Sequence, residues 1–389
     1  MMEKTNVRTR WAMSVEARGL TVITAVLAVF GLATLYSASA IVALQEGAPA
    51  THYFFRQAIG MGAGIVVFAI AAKVDAERWR KLAWPLMLGT AGAMLLTVLP
   101  FTRSIAPEVN GSRRFLLGTS LQPSELGKLA IVIWTAMLLV KKGPDGMRRL
   151  TKGLLPFLVV VGALGLLAIF QPDLSVAMMY TLVMAIILFA GGVRIGHFVA
   201  LGIIATPILW SKLQELQYAM QRVLAYLNPT TAQDIGYQLK QSLIAVGSGG
   251  LLGNGFGNGR QAYGFIPFGQ TDFIASNVGE EWGFIGMLFL VVIYAVYTYL
   301  GIRIARNARS PFLQLVAVGL TVTLAITAYL HIGVVIGLLP TTGLTLPFVS
   351  YGRSNLLLSF LMTGILVNIG SNKERVHGAA ATDPLVAPG

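Results

Sequence analysis

Residues 154–191 read LLPFLVVVGALGLLAIFQPDLSVAMMYTLVMAIILFAG, and this stretch decides the fold. Two apolar runs flank Gln171-Pro172-Asp173, and Asp173 is the one charged residue in the stretch. Each run approaches the roughly twenty residues that a helix rising about 1.5 Å per residue needs to cross about 30 Å of hydrocarbon. Proline lacks the N–H that would continue a helix and drives the residue before it toward extended backbone, so the chain must turn at 171–173. Two antiparallel helices joined by a tight turn, apolar on every side, belong in a lipid bilayer.

Working outward, the same alternation predicts ten spans, near 20–44, 57–72, 82–100, 122–140, 154–171, 174–191, 195–210, 282–301, 312–339 and 354–371. The expected fold is an all-α polytopic membrane protein with ten transmembrane helices. Residues 1–19 form an N-terminal segment, 20–371 the membrane domain, and 372–389 a cytoplasmic tail, disordered from the Ala- and Pro-rich stretch that starts at His377. Composition agrees: 55% of the 389 residues are hydrophobic and 12% charged, with mean hydropathy +0.71. A soluble core cannot enclose that much apolar surface, and the balance excludes a disordered, collagenous or disulfide-stapled chain. With no cysteine there is no disulfide, thiolate metal site or cysteine nucleophile.

The net charge of +13 invites a nucleic-acid reading, but the basic residues sit in short loops between apolar runs and gather on no soluble face. No nucleic-acid partner is expected. Sidedness explains the charge better, because short cytoplasmic loops hold the excess of Lys and Arg. With both termini inside, 19 of the 29 basic residues fall on the cytoplasmic side. Tyr36-Ser37-Ala38-Ser39-Ala40 resembles a signal-peptidase site, but the run before it is longer than a signal sequence needs, and cleavage would spoil the charge agreement.

On the outer side, segments 101–121 and 211–281 are too long and polar to be plain turns, so function is sought there. The Gly-rich run Gly247–Arg260 has two readings: a flexible loop, or backbone amides and Arg260 lying against a phosphate-bearing ligand. Ionisable groups at membrane depth are costly and few. Glu125 and Lys128, three apart on one helical face, form either a structural ion pair or part of a site. Asp173 is placed to cap the following helix. His331 reads as a packed, hydrogen-bonded side chain, and His52, His197, His331 and His377 show no zinc-ligand spacing. Asp272, just before Glu280 and Glu281 at the head of the eighth span, is the strongest candidate. A carboxylate near apolar walls can have its pKa raised and act as a general base, and the alternative is a helix N-cap.

Several motifs together carry a resemblance. They are Asn110-Gly111-Ser112-Arg113-Arg114-Phe115, Gln122-Pro123-Ser124-Glu125-Leu126-Gly127-Lys128, Gln171-Pro172-Asp173-Leu174, Gly236-Tyr237-Gln238, Thr271-Asp272-Phe273-Ile274 with Gly279-Glu280-Glu281-Trp282-Gly283, and Gly337–Gly343 with Leu346–Gly352. In this order, along the expected spans, they resemble the SEDS family (shape, elongation, division and sporulation). The Asn110-Gly111 start and the run through Ser242 look more like its division branch, FtsW, than its elongation branch, RodA.

The resemblance implies a peptidoglycan glycosyltransferase that polymerises lipid II at the outer face of the bacterial inner membrane, for septal wall synthesis. It implies Asp272 as the catalytic carboxylate, and a class B penicillin-binding protein and other divisome proteins as partners. The 4-hydroxyl of one sugar attacks the anomeric carbon of another, inverting it and displacing undecaprenyl diphosphate. One base suffices for that, with cations to steady the diphosphate. Arg113, Arg114, Lys240, Arg260 and Arg353 are the expected diphosphate and sugar partners, since guanidinium and ammonium groups match phosphate oxygens. Glu125, Lys128, Asp173, Glu280, Glu281 and Ser350 are expected as supporting residues. A divalent cation, Mg2+ or Mn2+, could share the charge, although no carboxylate cluster marks a site for it. Arg353 stands where the family shows a second glycine after Ser-Tyr-Gly, and Asn355 follows Ser354. The segment Gln261–Gly269 lacks the family's usual basic residue. The competing functions are a lipid II flippase, which ten spans with Gly- and Pro-interrupted helices would suit, a scaffold, and an elongation polymerase.

Overall fold

The computed structural model describes residues 7–108, 112–116, 121–147, 153–199, 203, 217–227 and 235–377. Its helices are α1 (Val15–Gln45), α2 (His52–Lys73), α3 (Trp79–Val98), α4 (Pro123–Met147), α5 (Leu155–Phe170), α6 (Leu174–Ala190), α7 (Gln217–Leu227), α8 (Ile235–Ser248), α9 (Ile274–Arg306), α10 (Pro311–Val335) and α11 (Arg353–Ile369). Six helical stretches, taken from α1, α2, α3, α4, α9 and α10, are long and apolar enough to cross a membrane, and α5, α6 and α11 are shorter apolar helices. The chain is a multi-pass helical membrane protein. The seventh expected span, 195–210, lies almost wholly outside the described residues.

Local chemistry sets the helix starts. Ser14 accepts the Ala17 N–H at 3.1 Å to open α1, and Ser310 accepts the Leu313 N–H at 3.3 Å ahead of Pro311 at the first turn of α10. The most enclosed span is α4, with 83% of its apolar window buried. Its Trp134 packs edge-on against Trp84 of α3 and Phe157 of α5. Small residues let α2 and α11 approach closely: a Cβ on Gly364 would stand 2.6 Å from Phe68 O. The signal-peptidase-like residues lie inside α1, where Ser39 is fully buried and Gly31 meets Phe348 O.

Two expectations are corrected. The eighth span was expected to start at 282, but α9 begins at Ile274 and breaks at Gly283, whose φ of 65° is non-helical. The break allows close contact, since a Cβ on Gly283 would stand 2.4 Å from Gly253 N. The segment 211–281, read as a loop, carries α7 and α8. Ahead of the expected disordered stretch the chain forms a strand, β2 (Ser371–His377), antiparallel to β1 (Val7–Met13) with Val7 opposite His377 and Met13 opposite Ser371. The two strands can pair because α11 ends where α1 begins, with the Ser14 N–H donating to Gly370 O at 3.1 Å. Residues 378–389 lie outside the described residues.

These contacts give the bundle two distinct ends. At one, Arg303 Nη2 meets Glu16 Oε1 at 3.1 Å, Arg309 Nη2 lies 3.9 Å from Asp75 Oδ1, and the Ala76 N–H donates to Asn368 Oδ1 at 2.9 Å. The start of α1, the α2–α3 and α9–α10 turns, the end of α11 and both strands therefore share a basic end. The opposite end gathers the α3–α4 connection, the α5–α6 turn, Asp272 and residues 338–352.

Candidate active site

Asp272 sits in the turn Phe268–Phe273, whose Thr271 and Asp272 N–H groups donate to Phe268 O at 3.0 and 3.1 Å. The capping alternative falls away, because the N-cap of α9 is Phe273 and no side chain caps it. The half-buried carboxyl faces a cluster drawn from four separate elements. Loss of hydration pushes its pKa up from the ordinary carboxylate range, opposed first by Arg222 of α7 and then by Arg114. Asp173, at the head of α6, adds to the rise, and a hydrogen bond with Thr271 works against it.

Each neighbour is held in turn. Arg114 donates from Nε to Gln171 O at 3.1 Å and from Nη2 to Pro172 O at 2.8 Å, with Nη1 3.7 Å from Asp173 Oδ2. It thus clasps the Gln-Pro-Asp turn and brings its charge to the carboxylates. Asp173 accepts the Val176 N–H at 3.3 Å and caps α6. Arg222 Nη1 donates to Thr342 O at 3.1 Å, and the Ser175 hydroxyl donates to the same carbonyl at 2.5 Å. The loop 344–352 is stitched to the Asp272 turn: Ser350 Oγ donates to Thr271 O at 2.6 Å and accepts the Leu346 N–H at 2.8 Å, and the Tyr351 N–H reaches Gln270 O at 2.9 Å. Gln57 of α2 fastens that loop from the other side, donating to Ser350 O at 3.0 Å. His331 ties α10 to both segments, with Nδ1 2.7 Å from Leu344 O and Nε2 accepting the Ala275 N–H at 3.5 Å.

Behind this cluster, the buried Glu125 and Lys128 of α4 pair at 2.7 Å, beside the Tyr180 hydroxyl that donates to Ser124 O at 2.7 Å. Asp272, Arg114, Asp173, Ser350 and this pair thus occupy one half of the bundle. The other predicted residues are placed differently. Arg113 donates to Ala106 O at 3.0 Å, Leu99 O at 2.9 Å and Thr102 Oγ1 at 3.2 Å, so it braces the 99–106 loop. Lys240 is exposed on α8, and Arg353 is half-buried at the head of α11, its stem near Gly60 of α2. Asn110 and Gly111 lie outside the described residues.

The Gly-rich run finds its anion within the protein. Glu280 accepts the Arg260 and Gln261 N–H groups at 2.8 and 3.1 Å, and Glu281 accepts the Ser37 hydroxyl and the Gly257 and Gly259 amides. The Asn254 and Gly255 N–H groups reach the Glu280 and Glu281 carbonyls at 2.9 and 3.0 Å. The glycines are needed for this wrap: a Cβ on Gly249 would stand 2.0 Å from Gly279 O. The reading of these amides as a ligand cradle is therefore corrected to a brace on the first turns of α9, with the Arg260 side chain left exposed.

Sequence reading missed Arg222. The available signal was the helical spacing of QYAMQRVLAYL inside a segment read as loop. Gln57, buried and hydrogen-bonded to Ser350, was missed as well. The cluster can take a proton from a hydroxyl through Asp272 and set two guanidinium groups against developing negative charge. Among the described residues no three of His, Asp, Glu or Cys converge to hold a metal ion, so the donor set does not fit a protein-built cation site.

The sequence pattern of the FtsW, RodA and SpoVE cell cycle proteins matches residues 18–375. A probable peptidoglycan glycosyltransferase FtsW of Geobacter sulfurreducens is 38% identical over 356 residues, covering 91% of this chain and 94% of the relative. Stage V sporulation protein E of Bacillus subtilis is 36% identical over 353 residues, covering 90% and 95%. A solved chain from a peptidoglycan synthase complex, in work on the coordination of polymerisation and crosslinking, superposes with a TM-score of 0.74 at 25% identity, covering 92% and 98%. The crystal structure of Thermus thermophilus RodA superposes with a TM-score of 0.65 at 25% identity, covering 92% and 97%.

Proposed function

This chain belongs to the FtsW/RodA/SpoVE family of cell cycle proteins, and on that premise we propose that it is a peptidoglycan glycosyltransferase polymerising lipid II at the outer face of the inner membrane, for the division septum. The observation that carries the reading is Asp272: free of any capping role, with its carboxyl raised toward neutrality by burial and faced by Arg222 and Arg114.

The reaction follows from those groups. The sugar 4-hydroxyl gives its proton to the Asp272 carboxylate as its oxygen bonds to the anomeric carbon of a second lipid-linked chain. The bond from that carbon to phosphate breaks, and the electron pair leaves with undecaprenyl diphosphate, inverting the centre. The leaving group is already anionic, so positive charge matters more than a general acid. Arg222 and Arg114, the charges that act on Asp272, are the groups assigned to supply it.

Ten spans with both termini cytoplasmic fit this reading. This topology is supported by the pairing of β1 with β2 at the basic end, the arrangement that an even number of crossings and the positive-inside rule would give. A class B penicillin-binding protein is the proposed partner, because strands made here need crosslinking, and a relative of the same fold comes from a synthase complex. The test is glycan synthesis from purified lipid II by the detergent-solubilised protein with that partner. Polymer from wild type and none from a folded Asp272→Ala variant is the expected result. No polymer from wild type in an intact complex overturns the reading and favours transport.

A further inference from the structure

On the glycosyltransferase reading above, we propose that the exposed ring of Phe268 binds the sugar that carries the attacking hydroxyl, its flat face meeting the C–H face of the pyranose.

Ile266-Pro267-Phe268-Gly269 is a turn closed by the Gly269 N–H, which donates to Ile266 O at 3.1 Å. Proline at the second position and a φ of 58° at the third are the pattern of a type II turn, whose third position favours glycine. Phenylalanine there is strained, because its Cβ crowds a left-handed backbone. Packing can offset such strain. Phe348, also at positive φ, is 2% exposed, and its ring packs against Phe360 and Tyr297 with centroids 5.5 and 6.4 Å apart. Phe268 has no comparable burial, since it is 45% exposed. A strained turn that holds a large apolar ring in the open is explained by what the ring meets outside the chain.

Phe268 also builds the turn that carries Asp272. Its carbonyl accepts the Thr271 and Asp272 N–H groups at 3.0 and 3.1 Å and the Thr271 hydroxyl at 3.0 Å, so ring and carboxyl rise from one hydrogen-bonded turn. That turn is fixed: Ile266 is buried beneath it, and the Tyr351 N–H donates to Gln270 O at 2.9 Å. Tyr263 and Phe265 are exposed on the same segment, which Gln45 at the end of α1 moors by donating to Tyr263 O at 3.1 Å.

The chemistry of the segment selects the occupant. Residues 261–271 hold three aromatic rings and no charge. A diphosphate needs guanidinium or ammonium partners, which this segment lacks, whereas a neutral sugar does not. One face of a pyranose presents C–H bonds, whose positive ends match the negative face of an aromatic ring, and its hydroxyls project from the rim. A sugar lying on Phe268 can therefore direct a rim hydroxyl to the carboxyl one turn along the chain.

The experiment is strand synthesis over a range of lipid II concentrations by the solubilised protein with its partner, with thermal unfolding and partner co-purification measured for each variant. Phe268→Gly relieves the positive φ, so it is expected to melt no lower than wild type. Its half-saturating lipid II concentration is expected to rise about fivefold or more, corresponding to about 1 kcal/mol. Phe268→Leu, apolar but without a flat face, is expected to show a similar rise, and Phe268→Trp to stay within about twofold of wild type. Unchanged half-saturation in folded Phe268→Gly overturns the inference, as does full function in Phe268→Leu. Loss of the partner from Phe268→Gly would make the ring a protein contact. An equal rise in Phe101→Leu, which removes an exposed ring from the 99–106 loop, would make it a general membrane-interface anchor. Either result also overturns the inference. Should Phe268→Gly fail to fold, Phe268→Leu against Phe268→Trp decides. A wild type that makes no polymer refutes the glycosyltransferase reading instead.

Discussion

The hydroxyl of Ser350 lies 2.6 Å from the carbonyl oxygen of Thr271, so the loop before α11 holds the residue next to Asp272. The same hydroxyl accepts the Leu346 N–H, so its loss strands one buried and one part-buried backbone group. Ser350→Ala is expected to cost about 1–3 kcal/mol of stability, and to slow strand synthesis beyond what its unfolding curve explains. Thermal unfolding in detergent beside the polymerisation assay measures both. Normal turnover in a folded Ser350→Ala protein would show that the tether does not position Asp272.

The raised pKa of Asp272 has two consequences of opposite sign. As a base it must be ionised, so strand synthesis should fall as pH drops, with a midpoint above the ordinary carboxylate value of about 4. Stability runs the other way. The folded state holds the proton more tightly than the unfolded state, so this group's stabilising contribution is fully present below the unfolded pKa and is lost as pH rises through the folded one. Asp272→Asn should therefore unfold at a higher temperature than wild type near pH 7.5 while making no polymer. A variant less stable than wild type at that pH would contradict the burial of the charge.

Arg113 and Arg114 separate stability from chemistry. Arg113 holds only the 99–106 loop, whereas Arg114 clasps the 171–173 turn and brings its charge to Asp272. Arg113→Ala should mainly lower the melting temperature, and Arg114→Ala should also move the acid limb of the rate profile upward. Matching pH profiles for the two variants would remove Arg114 from the site.

Much of this architecture was legible from the chain. The Gln171-Pro172-Asp173 hairpin follows from proline and two long apolar runs, and Asp272 stands out because charges are rare at membrane edges. Arg222 was hidden because its significance lies in a contact with Thr342, 120 residues along the chain. Arg113 and Arg114 are chemically identical neighbours, and only the different partners of their side chains tell brace from site. The break at Gly283 was unreadable for a related reason. A glycine among helix-forming residues is compatible with a straight helix, and what breaks it is the close approach of Gly253 from another segment.

The Glu125–Lys128 pair separates a buried charge from a balanced one. Both side chains are almost fully enclosed and meet at 2.7 Å. Lys128→Met leaves an uncompensated carboxylate and should cost about 3–5 kcal/mol. Adding Glu125→Gln removes that charge and should restore much of the loss. A double variant no better than the single one would mean that other groups, rather than the pair, set the electrostatics of α4.

The Gly-rich run makes the sharpest steric prediction. If its glycines serve close packing against α9, sensitivity to alanine should track the space at each position and not distance from Asp272. Gly249 leaves a Cβ only 2.0 Å from Gly279 O, and Gly253 leaves one 2.1 Å from Glu281 O at φ +82°, both against backbone that cannot move aside. Gly249→Ala and Gly253→Ala should each prevent accumulation of folded protein. Gly247, at the end of α8, has nothing within 4 Å of its Cβ position, so Gly247→Ala should fold and gain up to about 1 kcal/mol from reduced chain entropy. Yield of monodisperse protein and melting temperature measure this directly. If all three substitutions fold but lose polymerisation equally, the run acts on a ligand, and its role as a brace on Glu280 and Glu281 is wrong.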